Sequence, residues 1–344
     1  MSTQNDLLIE LKGLKTHFFL DEGIVKAVDG VDFDIYRNRT LCVVGESGCG
    51  KSVTARSIMQ IVDPPGRIVE GNILFHRRSD GSSQSTSGAQ TEVIDLAALK
   101  PRSRAARQIR GKDIAMIFQE PMTSLSPIHT VGDQISEVIT LHLSLSKEAA
   151  KTLTIDLLDR VGIPRPAERF DTYPFQLSGG MRQRVMIAMA LACNPSLLIA
   201  DEPTTAVDVT TQAQILELLQ ELQEEFGMGI LLITHDLGVV AEMADDVVVM
   251  YLGRVAERGD VDSIFHDPKH PYTKALLQSI PKLDFDEEER LNSIRGMVPD
   301  PFDRPIGCPF GTRCDDFISG RCDQTMPLRT QLNPQREVRC FLYE

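Results

Sequence analysis

The chain opens with alternating apolar and polar residues and continues with short, fully apolar runs separated by longer mixed segments. The alternation over residues 7–35 predicts strands with one buried face. The unbroken apolar run at 197–200 predicts a strand buried on both faces, as in a parallel sheet, and the run at 41–44 predicts a buried strand. The stretch 246–252, which is apolar after Asp246, is also of strand length. The segment that follows residue 123 is more helical in character. Short buried strands mixed with helices indicate an α/β fold.

Two helices are predicted in that segment, at 131–145 and 147–161, and a third at 183–192. No apolar run approaches the ~20 residues that a membrane-spanning helix needs. Residues 1–6 also lack the basic and apolar pattern of a signal peptide. We therefore expect a cytoplasmic protein, held at a membrane only through partners.

Composition narrows the class of protein. The chain has 344 residues, of which 42% are hydrophobic and 25% charged, values ordinary for a soluble globular protein. This length suffices for one large domain with an appendage. The net charge of −13 argues against broad electrostatic binding to nucleic acid, so no nucleic-acid partner is expected.

The most specific motif follows the apolar run at 41–44. The pattern G-x-x-x-x-G-K-[ST] is met at every fixed position by Gly45, Glu46, Ser47, Gly48, Cys49, Gly50, Lys51 and Ser52. Its glycines let successive N–H groups point at phosphate oxygens, and a predicted helix at 52–59 adds its positive end. Lys51 then suits the β- and γ-phosphates and Ser52 suits Mg²⁺. The alternative is a plain glycine-rich turn, but the flanking strand and helix favour binding of a nucleoside triphosphate.

Two carboxylates close the strand predicted at 197–200. Asp201 falls at the carboxyl end of that strand, where open α/β sheets bind ligands, and suits Mg²⁺. Glu202 is a candidate general base for an attacking water. The alternative is a pair of acidic residues that merely end a strand at the surface, and the phosphate-loop motif earlier in the chain argues against it.

A second anion-binding geometry lies in Leu-Ser-Gly-Gly-Met-Arg-Gln-Arg at 177–184. Ser178, Gly179 and Gly180 offer backbone donors ahead of the predicted helix at 183–192. This motif resembles the signature of ATP-binding-cassette (ABC) ATPases, with Met181 in place of the usual glutamine. It cannot bind the same phosphates from the same side as Lys51 without a dimer or a large rearrangement. Ser178 could equally be a helix cap, and both roles are compatible.

The other elements of that family follow in its usual order. By this resemblance, Gln119 senses Mg²⁺ and the attacking water, and His235, 33 positions after Glu202, contacts the γ-phosphate. Asp208 belongs to the loop that crosses the dimer interface, with Val207 in place of the commoner leucine.

An aromatic residue near the start of the chain is expected to stack on adenine. His17, Phe18 and Phe19 lie in the corresponding region, and Phe18 is chosen here as the candidate. Phe19 remains an alternative, and all three residues could instead be ordinary strand residues.

Residues 114–125 and 270–276 resemble stretches of the ATPase subunits of dipeptide and oligopeptide importers, and the resemblance runs from about Leu8 to the C-terminus. It implies an α/β fold of the P-loop NTPase class. The implied ABC cassette over 1–260 has a RecA-like core, an antiparallel β subdomain and a helical signature subdomain at about 123–185. A small Cys-rich C-terminal extension over 261–344 follows.

Three further segments carry predictions about the surface. Residues 77–90 are small and polar and predict a flexible insertion at a hairpin tip, more in keeping with a tolerated loop than with regulation. The basic stretch 96–110 favours a solvated helix face over contact with phospholipid. By family resemblance, 121–128 contacts a membrane subunit.

Seven cysteines are present, and Cys42, Cys49 and Cys193 lie in core-like contexts. The other four lie in the C-terminal tail, at Cys308, Cys314, Cys322 and Cys340, and are separated by five, seven and seventeen residues. Disulfides are rare in the cytoplasm, and four thiolates suit Zn²⁺ or an iron–sulfur cluster. Unligated thiols are the third possibility. The tail resembles that of peptide-importer ATPases, which implies a structural [4Fe–4S] cluster.

The resemblance implies an ATP-hydrolysing motor of a membrane importer, peripheral on the cytoplasmic face of the inner membrane. ATP and Mg²⁺ are its expected cofactors. Its expected partners are two transmembrane permease subunits, a second ABC ATPase (a paralogue or a second copy) and an extracytoplasmic solute-binding protein. Dipeptides or oligopeptides are the favoured cargo, with nickel, opines and oligosaccharides as alternatives. A soluble ABC ATPase of DNA repair or translation, an exporter motor and an inactive regulatory protein are rival interpretations.

Overall fold

The computed structural model describes residues 6–78, 91–119, 124–205, 207–280 and 294–344. These residues form twelve strands, which are β1 (Leu7–Leu20), β2 (Gly23–Tyr36), β3 (Thr40–Val44), β4 (Gly66–Arg78), β5 (Thr91–Asp95), β6 (Ile114–Ile117), β7 (Leu197–Asp201), β8 (Gly229–Ile233), β9 (Asp246–Tyr251), β10 (Arg254–Asp260), β11 (Thr330–Asn333) and β12 (Arg336–Val338).

The same residues contain ten α-helices, which are α1 (Lys51–Ile58), α2 (Arg104–Ile109), α3 (Val131–Leu143), α4 (Lys147–Arg160), α5 (Pro166–Arg169), α6 (Gly179–Leu191), α7 (Val209–Phe226), α8 (Leu237–Met243), α9 (Val261–His266) and α10 (Pro271–Gln278). The chain divides into two compact units. The first contains residues 1–8, 35–39 and 98–233, and the second contains 9–34, 40–97 and 234–344. Strands and helices occur in both, which confirms the predicted α/β class.

The first unit has a parallel sheet in the order β6–β7–β8. Every residue of β7 and β8 is buried, and for β7 the unbroken apolar run at 197–200 predicted this. Asp201, the last residue of β7, lies opposite Ile233 of β8, so the carboxylates that follow β7 lie at the carboxyl edge of the sheet.

Helices α3, α4 and α6 of the first unit pack against one another. The hydroxyls of Thr130 and Ser146 accept hydrogen bonds from the first turns of α3 and α4, which fixes where these helices begin. The predicted helices at 131–145 and 147–161 are thus confirmed, ending one or two residues early. The helix predicted at 183–192 instead begins at Gly179, because Ser178 caps it, so the two glycines of the signature motif form its first turn.

The second unit has two sheets. In one, β3 lies parallel to β9, and β9, β10, β12 and β11 follow in antiparallel order. The other has the order β2–β1–β4–β5, an antiparallel arrangement in its described pairs β1–β4 and β4–β5. Helix α1 begins seven residues after β3 ends, with the phosphate-loop motif between them.

The structure changes the bounds of one predicted surface segment and shows which elements a second one forms. Arg77 and Arg78 lie in β4, where Arg78 pairs with Thr91 of β5, so the predicted insertion is shorter at its start and 79–90 lie outside the described residues. The basic stretch 96–110 forms a 3₁₀ turn (Leu96–Ala98) and the short α2, which buries only Ala106 and Ile109. Most of its other residues are exposed, and the choice between a solvated face and contact with phospholipid stays a prediction.

A buried ion pair fixes the C-terminal hairpin to the second unit. Glu257 of β10 is fully buried and accepts hydrogen bonds from Arg336 Nη2 (3.1 Å) and from the backbone N–H groups of Lys269 and His270. A buried carboxylate is tolerable because all of these donors compensate it. Among the described residues, none of the helices is both long and apolar enough to cross a bilayer.

Candidate functional site

The phosphate-loop motif forms a tight turn whose shape requires glycine at both of its ends. Gly45 has φ +147°, and a Cβ there would lie 2.2 Å from the backbone oxygen of Met250. Gly50 has φ +103°, and a Cβ there would lie 2.2 Å from the backbone oxygen of Ala27. Because both neighbours are backbone atoms, a side chain could be accommodated only by moving the loop.

Lys51 begins α1 and turns its side chain back over the loop. Its ammonium donates to the backbone oxygens of Gly45 (2.7 Å) and Glu46 (3.1 Å), and the residue is only 7% exposed. Ser47 and Gly48, at the crest of the turn, are exposed. A buried cation, an exposed crest and the first turn of a helix together form an anion-binding arrangement.

The thiol of Cys49 lies under this turn. A Cβ on Gly45 would come within 2.8 Å of Cys49 Sγ, and Lys51 Nζ lies 3.8 Å from the same sulfur. Burial raises the pKa of the Cys49 thiol, with Lys51 acting in the opposite direction. The side chain is therefore a neutral packing element, as predicted for a core-like cysteine.

A second layer supports the loop, and the motif analysis did not assign it. The backbone N–H of Glu46 donates to the hydroxyl of Tyr272 (2.8 Å), and the Glu46 carboxylate pairs with Arg313. Tyr251 packs against Tyr272 with ring centroids 4.7 Å apart. The stretch 270–276 was singled out only as a subfamily mark, which was the one available signal for Tyr272. Nothing in the sequence indicated Arg313.

In the first unit, the structure brings together Glu202 and Gln119. The Glu202 carboxylate accepts a hydrogen bond from Gln119 Nε2 (2.8 Å) and another from Thr205 Oγ1 (3.0 Å), so its position is set by two donors. Asp201 beside it is 3% exposed. Thr205 was not predicted, because a threonine three residues after Glu202 is not itself part of a sequence motif.

Glu202 also has an unusual backbone. Its φ is +49°, and its N–H donates to the backbone oxygen of Ile233 (2.9 Å). A left-handed conformation at a residue other than glycine costs on the order of 1 kcal/mol or more and persists where the surroundings impose it. The bend directs the carboxylate away from the line of β7 and towards Gln119.

The signature motif is also held from within the first unit. Ser178 Oγ accepts from the N–H of Met181 (3.3 Å), so Ser178 is the helix cap that the sequence allowed. Gln183, buried, donates to the backbone oxygen of Pro203, which links α6 to the segment after Glu202. A Cβ on Gly180 would lie 3.1 Å from Thr211 Cγ2, so this glycine approaches the start of α7.

Asp208 caps α7. Its carboxylate accepts from the N–H (3.0 Å) and the hydroxyl (2.7 Å) of Thr211, and these hydrogen bonds lower the pKa of Asp208. Thr211 therefore hydrogen-bonds to Asp208 and also lies next to Gly180. Residue 206, the first residue of the predicted interface loop, lies outside the described residues.

The second unit holds the two remaining candidates. His235 is exposed and lies just before Asp236, which caps α8. Phe18 packs on the backbone at Gly66, where a Cβ would lie 2.6 Å from its ring. Phe19 lies under the guanidinium of Arg67, whose Cζ is 4.2 Å from the ring centroid. Phe18 thus has a packing contact of its own, and its adenine role stays a prediction.

All four tail cysteines line one small pocket, together with His270, Pro271 and Phe310. Burial raises the pKa of Cys308 to about 11 and that of Cys314 to about 12, and it raises the pKa of Cys340 as well. Within the part of the chain that the structure describes, no group of three or more His, Cys, Asp or Glu side chains is arranged to hold a metal ion. The thiols surround a shared space rather than converge on one point.

Two segments of the chain match known protein families. Residues 28–205 match the family model "ABC transporter", and 256–322 match "Oligopeptide/dipeptide transporter, C-terminal region". The chain is 48% identical to the oligopeptide transport ATP-binding protein AppD of Bacillus subtilis (strain 168), over 98% of this chain and 97% of AppD. It is 46% identical to the dipeptide transport ATP-binding protein DppD of Escherichia coli (strain K12), over 97% and 96%.

Solved structures agree with the sequence matches. The ATP-binding cassette MJ0796, in a dimeric post-hydrolysis state bound to ADP and Pi, superposes with a TM-score of 0.61 at 26% identity. The match covers 74% of this chain and 99% of MJ0796. The predicted cassette fold is therefore confirmed, and the chain is an ATPase of the ABC transporter family that also carries the C-terminal region of oligopeptide and dipeptide transporters.

Proposed function

We propose that this chain is the ATP-hydrolysing motor subunit of a membrane importer of dipeptides or oligopeptides. The observation that carries the cargo class is the match of residues 256–322 to the C-terminal region of such transporters. The names of AppD and DppD support the same class. We further propose the division predicted above, with a cassette over 1–260 and an extension over 261–344.

Nucleotide binding is assigned to the phosphate loop, Gly45 to Ser52. The buried Lys51 ammonium is supported as the phosphate-binding cation, because it already contacts two loop oxygens that a phosphate oxygen could replace as its partners. The hydroxyl of Ser52 and the carboxylate of Asp201 are the proposed Mg²⁺ ligands, which suit a hard cation that prefers oxygen. Phe18 is retained as the adenine-stacking candidate.

Hydrolysis is assigned to Glu202 as general base, with Gln119 orienting it. The hydrogen bond from Gln119 Nε2 to the Glu202 carboxylate supports this pairing. A base fixed by two donors is preorganised to receive a proton from an attacking water. His235 is proposed to contact the γ-phosphate, and its exposure leaves it accessible to a ligand.

The signature residues are proposed to act on the nucleotide of a second subunit. Gly179 and Gly180 lie in the first turn of α6, whose N–H groups favour an anion. Ser178 caps that turn at its start, and Asp208 lies on the interface loop by family resemblance. In this scheme two cassettes enclose two MgATP, and ATP hydrolysis lets the cassettes separate. The closed and the separated states form a two-state element that can drive transport.

The membrane partners are assigned to the first unit. The proposed contact at 121–128 falls partly on residues outside the described ones, but Ile128 is described and is 77% exposed. Phe175 is 65% exposed and stacks on Tyr173 with centroids 5.6 Å apart. Their exposure leaves these apolar side chains available to a binding partner. We propose that they contact two permease subunits at the cytoplasmic face of the inner membrane, while a solute-binding protein delivers cargo from the other side.

The tail cysteines are proposed to hold a [4Fe–4S] cluster. The four cysteines line one pocket, and thiolate sulfur is the ligand that such clusters prefer. Cys308, Cys314, Cys322 and Cys340 would bind as thiolates, so cluster binding would release protons. Bound there, the cluster would crosslink a segment with little regular structure.

Iron content tests the cluster directly. We expect Cys308→Ser to lose most of the iron and acid-labile sulfide of anaerobically purified protein. The matched control is Cys193→Ser, a buried cysteine that belongs to the first unit, whereas the four tail cysteines belong to the second. Full iron content in Cys308→Ser, or zinc in place of iron in the native protein, would contradict the assignment.

The complete proposal is tested by affinity purification from gently solubilised membranes, followed by mass spectrometry. We expect two permease subunits, a second ABC ATPase and a solute-binding protein, with peptides retained on the binding protein. Nickel, an opine or an oligosaccharide retained there would reassign the cargo while keeping the motor function. Recovery in the soluble fraction without membrane partners would overturn the importer and favour a soluble ABC ATPase.

A further inference from the structure

The C-terminal region places a guanidinium directly on the phosphate loop. Arg313, in the 3₁₀ turn Gly311–Arg313, donates from Nη1 to Glu46 Oε2 (2.6 Å) and from Nη2 to Glu46 Oε1 (3.0 Å). Two parallel hydrogen bonds of this kind fix both the separation and the plane of the two groups. The side chain of Arg313 is only 3% exposed, so solvent screens the pair little.

The guanidinium of Arg313 is also positioned by contacts with groups other than Glu46. Its Nε donates to the backbone oxygen of Arg295 (2.9 Å), and Nη1 also donates to the Tyr251 hydroxyl (3.3 Å). The rings of Tyr251 and Phe310 lie 5.8 and 5.9 Å from its Cζ, within the range of cation–π contacts. Arg313 therefore reaches the loop in a preset orientation.

Glu46 lies where a negative charge opposes nucleotide binding. Its backbone oxygen is 3.1 Å from the ammonium of Lys51, the proposed phosphate ligand. An uncompensated carboxylate on this loop would repel a triphosphate. Pairing with Arg313 cancels that charge and draws the carboxylate towards the tail.

We propose that Arg313 is a positioning residue for nucleotide binding, which neutralises Glu46 and fixes its side chain so that the loop presents a net positive face to the triphosphate. The inference rests on the proposed function, in which the loop binds ATP. It gives the C-terminal region a direct effect on nucleotide affinity. A residue that only anchored the C-terminal region within the second unit would have no such effect on nucleotide affinity.

Equilibrium binding of MgATP to the full-length chain tests this role. We expect Arg313→Gln to weaken MgATP binding by roughly tenfold, the range set by loss of a charge-assisted contact. The weakening should be smaller for MgADP, which carries less phosphate charge. The matched control is Arg295→Gln, because Arg295 pairs with Asp315 at the surface of the same tail and both side chains are more than three-quarters exposed.

The double variant Arg313→Gln with Glu46→Gln separates charge from structure. If Arg313 acts by neutralising Glu46, removing both charges should recover most of the lost affinity. Weak binding that Glu46→Gln does not recover would assign Arg313 a purely structural role and overturn the inference. Affinity in Arg313→Gln equal to that of Arg295→Gln would overturn it too.

Two further variants keep the test decisive. Lys51→Ala must lose MgATP binding if the loop is the nucleotide site; unchanged binding there would sink the proposed function rather than the role of Arg313. Should Arg313→Gln fail to fold, Arg313→Lys replaces it, because it keeps the charge. Arg313→Lys loses the paired hydrogen bonds but keeps the charge, so we expect its loss of MgATP affinity to be smaller than tenfold, and a loss of tenfold or more would count against neutralisation.

Discussion

The phosphate loop and the Glu202 carboxylate present their polar groups by different means. The loop relies on backbone atoms, and its two outer glycines have no room for a Cβ because backbone oxygens lie 2.2 Å from where it would be. Glu202 relies on its side chain, which hydrogen bonds from Gln119 and Thr205 hold. We call the phosphate loop a backbone-built site, because its geometry limits which residues can occupy the glycine positions. We call the Glu202 site a side-chain-built site, because neighbouring hydrogen bonds set where its side chain points.

The same contrast appears in how strain is used. The positive φ angles of the loop fall on Gly45, Gly48 and Gly50, which adopt them at little cost. The positive φ of Glu202 falls on a residue that resists it, so its surroundings must impose that conformation. We expect mutations in the loop to affect nucleotide binding and mutations around Glu202 to affect turnover.

The largest effect is expected for Glu202→Gln. Glutamine keeps the shape of the side chain but cannot accept a proton, so ATP turnover should fall by roughly 10²- to 10⁴-fold while MgATP binding persists. Turnover and equilibrium binding are measured on the same preparations. The matched control is Glu221→Gln on the exposed face of α7. Near-native turnover in Glu202→Gln would remove Glu202 as the base.

Next in size is Gly45→Ala, compared with Gly48→Ala. Both glycines have positive φ, but a Cβ on Gly45 would overlap the Met250 oxygen, whereas one on Gly48 would meet nothing within 4 Å. We expect Gly45→Ala to weaken MgATP binding by about 100-fold or more. Gly48→Ala should lose tenfold or less, in line with about 1 kcal/mol of backbone strain.

Equal losses in the two glycine variants would break the comparison, because strain alone would then explain both. Thermal unfolding of each variant shows whether the loop has moved locally or the fold has been lost. We expect the unfolding temperature to change more for Gly45→Ala.

The two sites also differ in how far sequence alone could define them. The loop was predicted in full, since its geometry allows few residue types and its strand and helix neighbours were evident. The pairing of Gln119 with Glu202 came only from family resemblance, because no local pattern links side chains 83 positions apart. Thr205, Tyr272 and Arg313 were missed for the same reason, as their roles exist only once the fold brings them to their partners.

Elsewhere the pattern predicted elements better than their ends. The helices at 131–145 and 147–161 were placed to within two residues, because their caps are serine and threonine. The start of α6 was misplaced by four residues, since two glycines are usually taken to precede a helix rather than begin it. The cap by Ser178 outweighed that propensity.

A smaller effect is expected at Thr205, which supports the side-chain-built site. Thr205→Ala removes one of two donors to Glu202, and a net hydrogen bond of about 1 kcal/mol corresponds to a fall in kcat of roughly fivefold. The KM for ATP should stay near its native value. Thr205→Ser keeps the hydroxyl and should restore kcat. A change in KM alone would place Thr205 in binding rather than in catalysis.

The smallest effect is expected at Tyr272, which supports the backbone-built site from outside. Tyr272→Phe removes the acceptor for the Glu46 N–H while keeping the ring packed against Tyr251 and Phe310. MgATP binding should weaken by roughly two- to fivefold, because one loop N–H loses its partner while the glycines still hold the turn.

The control for Tyr272→Phe is Tyr343→Phe, whose hydroxyl donates to the Lys269 oxygen at a distance of 3.1 Å. It loses one hydrogen bond of similar length within the same unit, but none on the loop. We expect Tyr343→Phe to leave MgATP affinity unchanged. If both variants weaken binding alike, the loop depends on the general stability of the second unit rather than on its contact with Tyr272, and the backbone-built site would need no support from the C-terminal region.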